Sequence, residues 1–182
     1  MSRMTRNEYI ESLRRLPKRV FIFGEEVADW VDHPLVRPSL NACAMTYELA
    51  QQPEYQDLMV VNSSLTGQKI NRFTHLHQST NDLVNKVKMQ RLLGQKTGCC
   101  FQRCVGMDAF NAIDSVTYEM DQALGTDYHS RFIQYLKVVQ ETDLVVDGAM
   151  TDPKGDRRLA PSQQADPDLF VRVVERKPDG LV

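Results

Sequence analysis

The sequence predicts a mainly α protein whose pattern turns to β towards its end, and three observations carry this. Apolar residues recur at three- and four-residue intervals as far as about residue 142. Capping residues, glycines and prolines punctuate that stretch at helix-length spacings. Beyond it, Leu144-Val145-Val146 and Leu169-Phe170-Val171-Arg172-Val173-Val174 read as short strands. The expected organisation is a helical domain over 1–142 and the start of a β domain over 143–182. Two strands alone cannot bury a face, so the chain reads as one that stops inside its second domain.

Thr5 followed by Glu8 is a capping-box pattern opening a short helix through Tyr9, Ile10 and Leu13, which Pro17 breaks. Val20 to Phe23 is an apolar run stopped by Gly24, expected to lie extended against the core. Glu25 to Val31 is expected to form a turn of helix carrying Trp30, the only tryptophan. Pro34 and Pro38 stiffen the connector that follows, since each fixes its own φ and restricts the residue before it.

Pro38 suits the first turn of a helix running to about Gln51, with Leu40, Met45 and Leu49 near one face and Cys43 packed inside. After Pro53, Met59 to Val61 and Ser63 to Gly67 read as loop or short strand. His75 and His77 follow without an acidic or cysteine neighbour, so a structural or exposed role is favoured over metal ligation.

Ser79 and Asp82 cap the next helix, with Leu83, Val87, Leu92 and Leu93 facing inward and Gly94 ending it. Lys86 and Lys88 read as a solvated face. Arg91 falls in the expected last turn, where its guanidinium can meet an anion near the segment that follows. That segment, Gln95 to Asp108, holds Cys99, Cys100 and Cys104. Gly98 reads as an N-cap, and Phe101, Val105, Ala109, Ala112, Val116 and Met120 as the buried face of a helix ending near Gly125. Asp127 then caps a helix with Phe132, Tyr135, Leu136 and Val139 inside, and His129 in its first turn suits a cap or surface role.

Cys100 and Cys104 lie four apart, so on one helix their sulfurs stand one above the other. That spacing alone favours two small core side chains. It also allows two thiolates to fill two of the four ligand positions of an iron–sulfur cluster, aided by a helix N-terminus and by Arg103. The stretch Met150-Thr151-Asp152-Pro153-Lys154-Gly155-Asp156-Arg157 is ordinary turn chemistry. Its lysine, arginine and free N–H groups can also hold phosphates, but from the residues alone the turn is favoured.

Composition excludes several classes. With 42% hydrophobic residues, 25% charged residues and a net charge of −2, the chain lacks the basic surplus of a protein that holds nucleic acid by bulk charge. No apolar run approaches the ~18 residues of a membrane span, and Met1 to Glu8 turns polar at once, unlike a secretory signal. Four cysteines without a disulfide-framework spacing suit a reducing cytoplasm.

Several segments together resemble a known family. Trp30 to Pro34, Ala44 to Ala50, Leu76 to Thr80, Lys88 to Thr97, Cys100 to Gly106 and Asp147 to Arg157 closely resemble the 4-hydroxybutyryl-CoA dehydratases. These belong with the flavin-dependent 4-hydroxyphenylacetate 3-hydroxylases. The likeness is colinear along essentially the whole chain and covers the N-terminal part of the family. It implies the N-terminal helical domain of an acyl-CoA-dehydrogenase-like fold, followed by the first strands of a middle β domain.

The resemblance further implies that Cys100 and Cys104 are two ligands of a 4Fe–4S cluster, with Cys99 outside the ligand set. Met150, Thr151, Asp152, Pro153, Lys154, Gly155, Asp156 and Arg157 match the segment that contacts FAD. The implied reaction is dehydration of 4-hydroxybutyryl-CoA to crotonyl-CoA, with vinylacetyl-CoA isomerisation beside it. Flavin redox chemistry is implied to acidify the reluctant β-hydrogen, and iron to assist departure of the hydroxyl. Gln102 and Arg91 are implied beside substrate or cluster. The partners implied are an acyl-CoA substrate and a homotetramer in the full-length enzyme, with neither nucleic acid nor membrane. The remaining ligands, a histidine and a cysteine, are implied to lie beyond residue 182, so these residues alone are expected to be inactive. Two other readings stand beside this one: the oxygenase component of a flavin-dependent 4-hydroxyphenylacetate 3-monooxygenase, and a non-catalytic helical assembly module.

Overall fold

The helix Arg37–Gln51, with eight buried residues, runs through the core of the first of two units in a computed structural model that describes residues 3–148, 155–166, 172–178 and 180–181. Chain contacts divide it into two units, Met1–Asp147 and Gly148–Val182. Six α-helices among the described residues make it mainly α: α1 (Arg6–Arg14), α2 (Arg37–Gln51), α3 (Gln56–Met59), α4 (Thr80–Thr97), α5 (Cys104–Leu124) and α6 (Tyr128–Thr142).

In the first unit, α1 opens on the Thr5–Glu8 capping box, each side chain taking the other's backbone N–H. Tyr9 then stacks on Tyr47 of α2 at 4.7 Å, beside buried Cys43, so Cys43 is a packing residue. Val20–Ile22 (β1) and Glu25–Val27 (β2) form an antiparallel hairpin where an extended segment and a helical turn were expected. Phe23 and Gly24, at φ 52° and 86°, make the two-residue turn whose backbone twist matches that of paired strands. The hairpin stands outward, and Phe23 is 94% exposed, so the run does not tuck against the core.

Pro38 sits in the first turn of α2, and Pro53 ends the helical path into a short 3-10 turn before α3. Val60–Asn62 (β3) and Lys69–Asn71 (β4) form a second antiparallel hairpin. Leu49 of α2, Phe73 of the 3-10 turn after β4, Met89 and Leu93 of α4, Phe101 of the loop before α5 and Met107 of α5 close one apolar cluster. Burying each such side chain is worth roughly 1.5–3 kcal/mol.

The inward faces of α4 and α5 differ from those expected. Ser79 caps α4 as expected, but the helix passes Gly94 and ends at Gly98, which adopts φ +64° as a C-cap rather than an N-cap. Met89 and Leu93 are buried, whereas Leu83 and Val87 face out, Val87 at 63% exposure. On α5 the buried residues are Gly106, Met107 and Phe110, while Val116 is 53% exposed. The cause is that only the first third of α5 lies against the core, where Gly106 admits the backbone of Val146: a Cβ there would run into the Val146 carbonyl oxygen.

On α6, Phe132, Leu136 and Val139 are buried but Tyr135 is exposed. Asp127 occupies the N-cap position as expected but makes no side-chain cap bond; Asp121 of α5 takes that part, accepting from the N–H groups of Tyr128 and His129 at 2.9 Å each. Leu144-Val145-Val146 is not a strand. It runs irregularly across the helical unit, with Val145 packed on the Tyr9–Tyr47 cluster and Val146 on the Phe110–Phe132 cluster.

The second unit, in its described part, has a 3-10 turn at Pro161–Gln163 and a small hairpin of Arg176–Lys177 (β5) with Gly180–Leu181 (β6). Residues 172–174, part of the second expected strand, are not in a strand. The rest of that run, 169–171, lies outside the described residues. No described helix is long and apolar enough to cross a membrane.

Candidate functional site

Cys100 and Cys104 meet at the mouth of α5, though by a route the spacing did not suggest. Cys99 to Arg103 is a loop between Gly98 and the first residue of α5, which is Cys104 itself. The two cysteines therefore do not share a helical turn. The loop reverses instead at Gln102, whose φ of +63° is the left-handed conformation a side chain with a Cβ rarely adopts. On either side of that elbow, Phe101 and Arg103 are buried while Gln102 is half-buried.

Phe101 packs against Phe73 with ring centroids 5.6 Å apart. Arg103 places its guanidinium 4.5 Å over the ring of Tyr47 and 5.2 Å over that of Phe73. It donates to Thr46 Oγ1 at 3.1 Å, Asp143 Oδ1 at 3.3 Å and the Leu144 carbonyl at 3.3 Å. Burial works against the guanidinium's charge, but Tyr47, Asp143 and Cys43 outweigh it and hold its pKa above the ordinary value. Burial pushes the Asp143 carboxyl up, against the pull of Arg103. Arg103 is thus spent on the interior and is not the cation that activates the thiols.

Cys100 neighbours Cys104 closely enough to act on its thiol. Cys100 is exposed and Cys104 half-buried against the apolar cluster, so the pair lies at an accessible edge, neither separated nor sealed. Burial, then neighbouring Cys100, raises the Cys104 thiol above its usual pKa despite backbone N–H groups that favour the thiolate. A metal would therefore displace a proton from Cys104 on binding. Chemically the donor set fits two corners of an iron–sulfur cluster: two soft sulfurs, adjacent and reachable. Among the described residues no third His, Cys, Asp or Glu joins them. Cys99 is exposed and its backbone is tied to the Thr97 hydroxyl.

Arg91 is exposed on α4 and stands six residues before the helix end at Thr97, since α4 runs on past the expected stop. Met150, Thr151, Asp152, Pro153 and Lys154 lie outside the described residues. Gly155 and Arg157 are exposed; Asp156 accepts from Arg158 through its carboxylate and from Gln164 through its carbonyl, both contacts closing a turn. Among the described residues His75 and His77 join no group of three or more candidate metal ligands; His75 Nε2 lies 3.4 Å from Asp82 Oδ1, and the two rings meet edge to face at 6.3 Å. The sequence reading passed over Asp143, Thr46, Tyr47 and Phe73, whose pairing with Arg103 spans distances in the chain that no local signal marks.

The family model described as "4-hydroxyphenylacetate 3-hydroxylase N terminal" matches residues 5–182. A 4-hydroxybutyryl-CoA dehydratase/vinylacetyl-CoA-Δ-isomerase of Clostridium aminobutyricum is 68% identical over 179 residues, covering 98% of this chain and 36% of the relative. The oxygenase component of a 4-hydroxyphenylacetate 3-monooxygenase from Thermus thermophilus is 27% identical, covering 96% of this chain and 35% of the relative. Among solved structures, an oxygen-tolerant archaeal 4-hydroxybutyryl-CoA dehydratase from N. maritimus superposes with a TM-score of 0.86 at 54% identity, over 99% of this chain and 36% of that one. A 4-hydroxyphenylacetate 3-monooxygenase oxygenase component complexed with FAD and 4-hydroxyphenylacetate shares the fold, with a TM-score of 0.72 at 23% identity. The chain spans little more than a third of the length of these relatives.

Proposed function

Because this chain belongs to the 4-hydroxyphenylacetate 3-hydroxylase family, matching its N-terminal region, we propose that it is the N-terminal portion of a 4-hydroxybutyryl-CoA dehydratase. The reaction is conversion of 4-hydroxybutyryl-CoA to crotonyl-CoA, with vinylacetyl-CoA isomerisation as a second activity. The observation that carries this reading is the 68% identity, over 98% of this chain, to the dehydratase of Clostridium aminobutyricum, and the placing of Cys100 near Cys104 at an accessible edge agrees with it. An oxygenase using reduced flavin has no need of such a pair.

Cys100 and Cys104 would hold two corners of a 4Fe–4S cluster, and the Met150–Arg157 loop would contact FAD through its backbone N–H groups and through Lys154 and Arg157. When bound, the cluster supplies Lewis acidity and the flavin supplies one-electron redox chemistry. The chain's own residues bind and orient. Gln102, half-buried at the elbow between the cysteines, would offer an amide to substrate or cluster. Arg91, exposed on α4 and without a partner among the described residues, offers positive charge to an anionic substrate. Two thiols leave two corners unfilled, so the 182 residues by themselves neither keep a stable cluster nor turn over substrate. A homotetramer in the reducing cytoplasm completes the proposal; all four cysteines are free thiols, as that compartment requires.

The test places Cys100→Ser and Cys104→Ser in a full-length family polypeptide carrying this N-terminal sequence, produced without oxygen and supplied with iron and sulfide. Each substitution should abolish the cluster's absorption and crotonyl-CoA formation. Retention of both would assign the cysteines to packing and favour the oxygenase reading.

A further inference from the structure

We propose that Arg103 is a positioning residue for the Cys100–Cys104 thiol pair, an inference that rests on the reading of those thiols as cluster ligands. Phe101 and Arg103 enter the interior on either side of Gln102, and both lie against Phe73. With Phe101 and Arg103 of a five-residue loop anchored inward, the half-buried residue between them takes the turn. The left-handed backbone at Gln102 is the cost of that reversal. Cys104 follows Arg103 directly as the first residue of α5, and Cys100 precedes Phe101 directly, so each thiol is one bond path from a buried anchor. Arg103 is the stiffer of the two: three directed hydrogen bonds and two aromatic faces fix its planar fork. No bond of Arg103 reaches either sulfur. Its influence on them passes through the backbone.

The experiment uses the 182-residue chain with Cys99→Ser, leaving Cys100 and Cys104 as the accessible thiols, since Cys43 is buried. Phenylarsine oxide, a trivalent arsenical that must bridge two sulfurs at a set spacing, is titrated into this parent and into two variants built on it. One is Arg103→Met with Asp143→Leu, which removes both buried charges so that neither is left alone. The other is Arg103→Lys, which keeps a charge for Asp143 but loses the fork. Near-ultraviolet circular dichroism reports folding.

The folded variants should bind the arsenical about 10–100-fold more weakly than the parent, the range typical of groups that orient metal ligands from behind. If the double variant fails to fold, Arg103→Lys alone decides. A folded variant that titrates like the parent overturns the inference. The two readings fail separately. Tight arsenical binding by the parent, with no iron held by the full-length polypeptide, sinks the cluster and leaves the positioning role. Iron held there, with variants that titrate like the parent, sinks the positioning role alone.

Discussion

Tyr47 donates its hydroxyl hydrogen to the backbone carbonyl of Asp143, 2.7 Å away and 96 positions later in the chain. Both groups are buried, so nothing else satisfies that carbonyl if the hydroxyl goes. Tyr47→Phe keeps the ring under the Arg103 guanidinium and removes only the donor. It should cost about 1–3 kcal/mol in urea unfolding, the penalty of a stranded buried acceptor. A loss below about 0.5 kcal/mol would show that solvent reaches the site.

Gly106→Ala places a methyl group where the Val146 carbonyl oxygen already stands. The obstacle is backbone, which cannot swing aside as a side-chain tip would. The expected loss is about 3 kcal/mol, at the upper end for overpacking. For a chain of this size that lowers the melting temperature by roughly 6–12 °C. An unchanged melting temperature would mean that residues 144–147 do not seat on α5.

His75 and His77 make stability depend on pH. Burial pulls the His75 pKa below its ordinary 6.5, with Arg72 adding to the effect and Asp82 opposing it. Burial, then Lys86 and His75, lowers that of His77, against Asp82 and Asp108. Both rings are neutral in the folded chain at a pH where the unfolded chain binds protons. Unfolding is then favoured by acid, so stability is whole above pH 6.5 and falls as pH drops through it towards the folded values. Asp82 contributes separately: despite burial, the Gln78 N–H and Ser79 hydroxyl hold its pKa below 3.8, so its share is lost only in stronger acid. Urea midpoints should decline from about pH 7.5 to about pH 5, and His75→Asn should flatten the decline. An equal slope in both proteins would remove His75 from the account.

Alkylation with iodoacetamide should sort the cysteines by position. Cys99 and Cys100 are exposed and should react first; half-buried Cys104, its pKa raised mainly by burial, should lag. Cys43 is buried and reached only through unfolding, so it should react at least about a thousandfold more slowly. Mass spectrometry of timed samples reads the order. Early modification of Cys43 would contradict its burial beside the Tyr9–Tyr47 stack.

Local signals read well from the sequence. Thr5 with Glu8 and Ser79 carry their caps within a few residues, and Pro38 and Pro53 mark the limits of α2 without reference to anything distant. Faces were harder to read, because Leu83, Val87 and Val116 have helical spacing equal to that of Met89, Leu93 and Phe110. What the neighbouring helix covers decides between them, and spacing does not contain it. Cys100 lies near Cys104 across a loop and a left-handed elbow, not on the shared helical turn that was expected. Arg103 was assigned to the thiols because it sits beside them in sequence. Its actual partners, Thr46 and Asp143, lie 57 and 40 residues away.

Asp143 is asked to serve three masters. One carboxylate oxygen takes the Met4 N–H, the other takes Arg103, and the main-chain oxygen takes Tyr47. The leading arm, α2 and the cysteine loop are therefore knotted at a single residue. Removing the Asp143 side chain would thus release the chain's first residues and the buried end of the cysteine loop together.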